Sequence, residues 1–258
     1  MIYMFGGPPH AVLRWALFKE HLDAKSDTRT ASRTGRARSA TIPIMCNLYS
    51  SSRSQDKIRR TFAVDRDEAG NLPPLPGIFP DQMAPVVHTA GGERALTMMR
   101  WGFPPPPKVG TQPVTNVRNV ASPYWRPWLK PAHRCLVPVT SFSEYADTKP
   151  RKTPVWFALD ESRPLFAFAG IWRPWTGVRG PKRDEPLTEE HRLFSFLTTE
   201  ANGIVGPVHP KAMPVLLTTP EDWRTWLEAP AEEALQLQRP LPDGMMTEVA
   251  RGDRKDGG

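Results

Sequence analysis

Only two cysteines, Cys46 and Cys135, occur among the 258 residues. That is too few for a disulfide framework or a four-cysteine zinc site, and it fits a reducing, cytoplasmic setting. No apolar run approaches the roughly 18 residues that a membrane helix needs, so no membrane contact is expected. No internal repeat is visible. Nothing in the pattern of histidines, cysteines and carboxylates calls for a metal or a cofactor, and nothing indicates an oligomer, so a monomer is expected. Proline, by contrast, is abundant at 30 residues. Each proline removes a helix donor and fixes φ, which disfavours a mostly helical chain and favours short strands joined by rigid turns.

The net charge is +7 and the isoelectric point about 9.6. A basic balance suits a polyanionic partner such as nucleic acid. The charge is unevenly spread, since residues 1–44 carry a net +4 of it. Within them Thr28–Thr41 is rich in Arg, Ser, Thr and Ala, has no large apolar residue and shows no periodicity, so it reads as disordered. Ala11–Phe18 is interrupted by Arg14 and makes a poor secretory signal. Residues 1–44 are therefore expected to be a basic extension that is removed, or that lies upstream of a true start at Met45. The expected organisation is one domain over 45–246 and a flexible tail over 247–258.

Within the domain, Gln55–Phe62 reads as a short helix and residues 65–82 as a proline- and glycine-rich loop. Met83–His88 and Ala95–Met99 flank Gly91-Gly92 and read as a hairpin. Arg134–Val139 reads as a buried strand. Val155–Leu159 and Leu165–Trp172, joined by Asp160–Pro164, read as a second hairpin. Leu193–Thr198 and Met213–Leu217 are further strands. Thr219, Pro220 and Asp222 form a helix-start signature that leads into Trp223–Glu228. The sum is an α+β, β-rich, single domain with a few short helices.

Met45-Cys46 is the pair of greatest chemical interest. Cysteine is small enough for ordinary removal of the preceding methionine. A terminal cysteine then carries a thiol and an amine on adjacent carbons, with reference pKa values of about 8.5 and 8. Such an aminothiol condenses with an aldehyde to an imine, and the sulfur closes a five-membered thiazolidine ring. An internal cysteine cannot do this, because its nitrogen is an amide. The chemistry needs an acid/base, and Glu144, in Ser141-Phe142-Ser143-Glu144-Tyr145, sits among hydrophobics where a raised pKa is expected. His209, ahead of Met213-Pro214, is a second candidate acid/base. Asn116 and Arg118 suit a sugar hydroxyl and a phosphate. Trp101, Trp125 and Trp128 offer faces for unpaired bases or for core packing.

These residues form an ordered set: Met45-Cys46, Trp101-Gly102-Phe103-x-Pro105, Asn116-x-Arg118, Arg134-Cys135-Leu136-Val137-Pro138, Phe142-x-Glu144, Thr198-Thr199-x-x-Asn202 and His209 before Met213-Pro214. From Met45 to about Leu241 the chain resembles the SOS response-associated peptidase family, whose members process abasic sites. The resemblance implies a barrel-like fold with a groove for single-stranded DNA containing abasic sites. It implies that Cys46 forms the thiazolidine crosslink and that Asn116 orients the opened sugar or the terminal amine. Glu144 would shuttle the proton, and His209 would assist sugar opening and reversal. Arg118, Trp101 and Gly102 would lie at the DNA. A β-elimination lyase step and autoproteolytic removal of a propeptide accompany this in the family.

Some positions depart from the family's pattern. Leu48 stands where many members have a DNA-contacting arginine, and Tyr145 replaces a tryptophan. Asn119-Val120 follow Arg118, and the spacing from His209 to Met213 is one residue longer. Two other readings remain open at this level. One is a thiol hydrolase with Cys46 as nucleophile and His209 as base. The other is a non-enzymatic single-stranded DNA-binding module.

Overall fold

The computed structural model describes residues 46–106, 110–180 and 185–256. The expected extension over 1–44 lies outside them. The strands in chain order are β1 (Leu48–Ser51), β2 (Arg66–Asp67), β3 (Leu75–Ile78), β4 (Met83–Ala90), β5 (Glu93–Trp101), β6 (Asn116–Val117) and β7 (Arg134–Val139), followed by β8 (Ser141–Ala146), β9 (Thr153–Ala158), β10 (Phe166–Val178), β11 (Thr188–Thr199), β12 (Met213–Pro214), β13 (Leu216–Leu217) and β14 (Thr247–Arg251). The helices are α1 (Gln55–Thr61), α2 (Pro220–Glu228) and α3 (Ala231–Ala234).

Five strands close into a barrel in the order β5-β4-β7-β10-β11, and β11 returns to β5. Four of the joints are antiparallel and the β11–β5 joint is parallel. The parity is forced. Each antiparallel joint reverses direction, so a ring of odd strand number needs an odd number of parallel joints. A second sheet runs β14-β9-β8-β1-β3. It shares a hydrophobic core with the barrel, in which Tyr49, Phe142 and Phe157 meet Phe166, Phe168, Phe194 and Phe196. Period-two alternation sorts the barrel strands. On β10, Phe166 and Phe168 face this shared core, while Ala167, Ala169 and Ile171 face a second cluster under α1 and α2. Helix α2 starts where the sequence placed it. The Thr219 side chain accepts from Asp222 N, and the Asp222 carboxylate accepts from Thr219 N. Its Trp226 indole donates to the carbonyls of Cys135 and Gly170, both at 3.0 Å.

The structure overturns three expectations. Val155–Leu159 and Leu165–Trp172 do not form a hairpin. β9 pairs with β8 and β14, whereas β10 pairs with β7 and β11. A turn reverses the chain, but partners elsewhere decide which sheet each run joins. The expected loop over 65–82 contains β3, which pairs with β1. β3 is an edge strand, where Pro76 costs no ladder bond. Within the expected flexible tail over 247–258, Thr247–Arg251 form β14 and pair with β9. Beyond it, Asp256 is 5% exposed and accepts from Ser141 Oγ (2.5 Å) and Arg163 Nε (2.8 Å). Polar composition suggested fraying, but the ladder and this buried ion pair hold the segment.

His88 on β4 is 4% exposed, and neither ring nitrogen has a partner among the described residues. Burial first, then nearby Arg192, pushes its pKa below the ordinary histidine value. The unfolded chain therefore takes up a proton that the folded chain refuses. The contribution of His88 to stability is complete above about pH 6.5 and is lost as pH falls below it. His133 shifts in the same direction, again chiefly through burial. His88→Leu is expected to reduce, without removing, the drop in Tm on acidification from pH 7 to 5. Circular-dichroism melts check this, and equal drops in both proteins would exclude His88 as a cause.

Candidate active site

Cys46 is the first described residue and lies just before β1, with 1% of its surface exposed. Two segments distant in sequence and the start of β1 hold it. Asn116, opening β6, donates from Nδ2 to the Cys46 carbonyl at 2.8 Å and to Thr115 Oγ1 at 2.9 Å. The main-chain nitrogen of Cys46 donates to the carboxylate of Glu144 on β8. The Cys46 thiol donates to the Leu48 carbonyl at 3.7 Å. Residue 46 is thus gripped at its nitrogen, its carbonyl and its sulfur.

Glu144 is the electrostatic centre of the group. Its side chain is 3% exposed, and Oε1 has no partner among the described residues. Burial pushes its pKa well above the usual carboxylate range, and the hydrogen bond from Cys46 N opposes this in part. The Cys46 thiol is also pushed up, first by burial and then by the charge of Glu144. His209 Nδ1 lies 3.9 Å from Glu144 Oε2 and 2.9 Å from the Ala212 carbonyl. A carbonyl only accepts, so Nδ1 carries a hydrogen, and in the neutral ring Nε2 is the free acceptor.

The loop that carries His209 is built by Asn202. Its Oδ1 accepts from Ile204 N and Val205 N, and its Nδ2 donates to the Leu241 carbonyl at 2.9 Å. The Val205 carbonyl then accepts from His209 N at 2.9 Å. Asn202 was visible only as part of the ordered motif, and its asparagine-glycine turn chemistry is the signal that could have assigned it this role.

Four residues named from sequence therefore converge: Cys46, Asn116, Glu144 and His209. The others do not join them. Trp101 is fully buried, stacked 5.3 Å from Phe196 and edge-on to Tyr49 at 5.0 Å. It offers no face to a base, which corrects that expectation. Its indole instead donates to the Thr115 carbonyl at 3.2 Å, steadying the segment that leads into Asn116. Gly102 has φ +115, and a Cβ there would stand 2.6 Å from Pro113 Cβ, so the position is one of close backbone packing. Its carbonyl accepts from Arg179 at 2.9 Å. Leu48 is buried too and is part of the core. Arg118 is partly exposed and pairs with Glu200 at 3.1 Å. Sequence reasoning missed Thr115, Glu200 and Gln238. Only the last left a faint trace, as a polar residue in the apolar spacing of Leu235 and Leu237.

The pattern of the SOS response associated peptidase family matches residues 45–251. The chain belongs to that family. Among its relatives, the abasic site processing protein YoqW of Bacillus subtilis is 29% identical over 191 residues, covering 71% of this chain and 80% of that one. The chicken abasic site processing protein HMCES is 30% identical over 179 residues, covering 57% of this chain and 50% of its own. A crystal structure of a Bordetella bronchiseptica protein matches with a TM-score of 0.63 at 21% identity, covering 80% of this chain and 98% of that one. One from Bacteroides thetaiotaomicron matches with a TM-score of 0.62, also at 21% identity, over 79% and 90% of the two chains. These two agree with the β-rich barrel architecture of this family member. Among the described residues no helix is long and apolar enough to cross a membrane.

Proposed function

We propose that this protein captures abasic sites in single-stranded DNA as a covalent thiazolidine at Cys46, within a DNA damage response, once the Met45–Cys46 bond is cut. The observation that carries this reading is the buried convergence on Cys46: Asn116 donates to its carbonyl, and the buried Glu144 beside it has His209 within 3.9 Å. When the Cys46 nitrogen is a free amine, it starts beside its own acid/base. The relatives named abasic site processing proteins support the substrate class.

His209 serves the opening of the sugar ring to its aldehyde. The amine adds to the aldehyde carbon, giving a carbinolamine. Glu144 donates a proton to the departing hydroxyl, so one water leaves and an imine forms. The Cys46 sulfur adds to the imine carbon while its proton passes to the nitrogen. The amine proton released on imine formation restores Glu144. Asn116 keeps the Cys46 carbonyl in place, and its Oδ1, without a partner among the described residues, is free to accept from a sugar hydroxyl. Arg118 would contact a phosphate. The lyase step would draw on the same imine: before the sulfur closes the ring, the C2 proton is lost and the 3′ phosphate leaves C3 with its electron pair, forming a C2–C3 double bond and cutting the strand, and autoproteolysis would be the cut that frees the amine.

A thiol hydrolase fits this geometry less well. Burial holds the sulfur as a thiol, and its hydrogen bond goes to Leu48 O rather than to His209. The test is intact-mass measurement after mixing the protein that begins at Cys46 with an oligonucleotide bearing one abasic site. The expected species has the sum of the two masses less one water. A product retaining that water, or no adduct, would overturn the proposal.

A further inference from the structure

Arg118 is not idle in the absence of DNA. It follows β6, two residues after Asn116, and its guanidinium pairs with Glu200 Oε2 at 3.1 Å. The Glu200 carboxylate is steadied by Thr199, whose Oγ1 donates to the same oxygen at 3.1 Å. Its own main-chain N–H, then Thr199, then Arg118 hold its carboxyl below the ordinary value, so it stays ionised. The backbone of Arg118 is tied to the end of β11, just before Glu200. The Gln238 side-chain amide donates to the Arg118 carbonyl at 2.9 Å and to the Thr198 carbonyl at 3.0 Å. β6 itself is only two residues long and pairs with β11 in parallel, Asn116 beside Phe196 and Val117 beside Leu197. The pair is thus set by main-chain geometry on both sides.

We infer that Glu200 is a built-in competitor for the DNA phosphate at Arg118, and that it sets how weakly the protein holds undamaged single-stranded DNA. This rests on the reading that Arg118 contacts a phosphate. A carboxylate and a phosphate cannot both take the same face of one guanidinium, so DNA must displace Glu200 before Arg118 contributes. The displacement lowers affinity for abasic and intact strands alike. Contacts shared by both strands raise occupancy without helping the chemical step. A protein that commits to its target by a covalent bond gains selectivity by keeping them weak. Arg118 stands two residues past Asn116, at most about 7 Å along the chain. The phosphate affected would therefore be one next to the captured sugar.

The experiment measures the Kd of an undamaged single-stranded oligonucleotide, which cannot crosslink, over a series of salt concentrations. The wild type, Glu200→Gln, Arg118→Ala and the double variant are compared. Glu200→Gln is expected to bind about two- to fivefold more tightly, the scale of an exposed ion pair, with a steeper salt dependence. In the Arg118→Ala background the same change is expected to have no effect. In competition, excess undamaged strand should suppress crosslinking by Glu200→Gln at a correspondingly lower concentration. Unchanged or weaker binding by Glu200→Gln would overturn the inference. So would equal tightening in the Arg118→Ala background, which would mean a diffuse charge effect. If Arg118→Ala alone left Kd and salt slope untouched, the phosphate reading would fall first and the inference with it. If Arg118→Ala weakened binding while Glu200→Gln did nothing, only the inference would fall.

Discussion

Cys46→Ala is expected to abolish the heat-stable protein–DNA band on a denaturing gel while leaving reversible DNA binding in place. A glutamate inserted between Met45 and Cys46 is expected to do the same, although it keeps the thiol. The two variants separate sulfur from nitrogen. Alanine removes ring closure, so any adduct stops at a hydrolysable imine. The insertion leaves the nitrogen of Cys46 an amide, which has no lone pair available for an aldehyde. The structure makes the second variant the more telling one. The grip on residue 46 runs through its nitrogen to Glu144 and through its carbonyl to Asn116, while the sulfur makes only a long contact to the Leu48 carbonyl. A persistent band with the inserted residue would mean that the thiol acts alone, and the aminothiol mechanism would be abandoned.

Glu144→Gln should produce two opposite effects of large size. Crosslinking should slow by about 10²- to 10⁴-fold, the usual worth of a positioned general acid/base, because glutamine cannot donate a proton to the departing hydroxyl. Stability at neutral pH should rise. The sign follows from the direction of the shift. Burial raises the folded-state pKa of Glu144 above its unfolded value, so its favourable contribution is present at low pH and is lost as pH rises through the folded value. Glutamine removes that loss while keeping the shape and an acceptor for the Cys46 nitrogen. Replacing a poorly compensated buried charge in this way stabilises on the order of 1 kcal/mol or more, roughly 2–4 °C in Tm per kcal/mol for a domain of this size. The gap in Tm between the variants should widen as pH rises. Single-turnover crosslinking and thermal melts over pH 5 to 8 check both halves. Undiminished crosslinking would remove Glu144 from the chemistry, and a lower Tm at pH 8 would show that its charged form is compensated.

The two effects share one cause. A carboxyl that is 3% exposed is kept where solvation cannot stabilise its ionised form. That costs folding stability and keeps the carboxyl protonated above the ordinary carboxylate range. His209 is attached to this arrangement through Oε2 and is held by the Ala212 carbonyl and the Asn202 turn. Arg118, just past β6, is paired with Glu200, and its carbonyl accepts from Gln238.

The residues themselves told which groups could act. A cysteine after a methionine, a glutamate among hydrophobics, a histidine before a strand and an asparagine two places from an arginine are local facts, and their order along the chain identified the family. Period-two patterning and turn chemistry located β4, β5, β7 and the capped start of α2, because side-chain alternation and capping are properties of neighbouring residues. What only the tertiary structure decided was partnership and exposure. β9 and β10 carry similar apolar runs on either side of a turn, yet they join different sheets, because strand pairing is settled by contacts far apart in sequence. Trp101 looks available in the sequence and is core in the fold, and the polar segment after Met246 is pinned by β9 and by Arg163 with Asp256. Most of all, residues 46, 116, 144 and 209 become one site only when β1, β6, β8 and the loop before β12 are brought together. A pKa raised by burial does not exist in the chain until the surroundings exclude water.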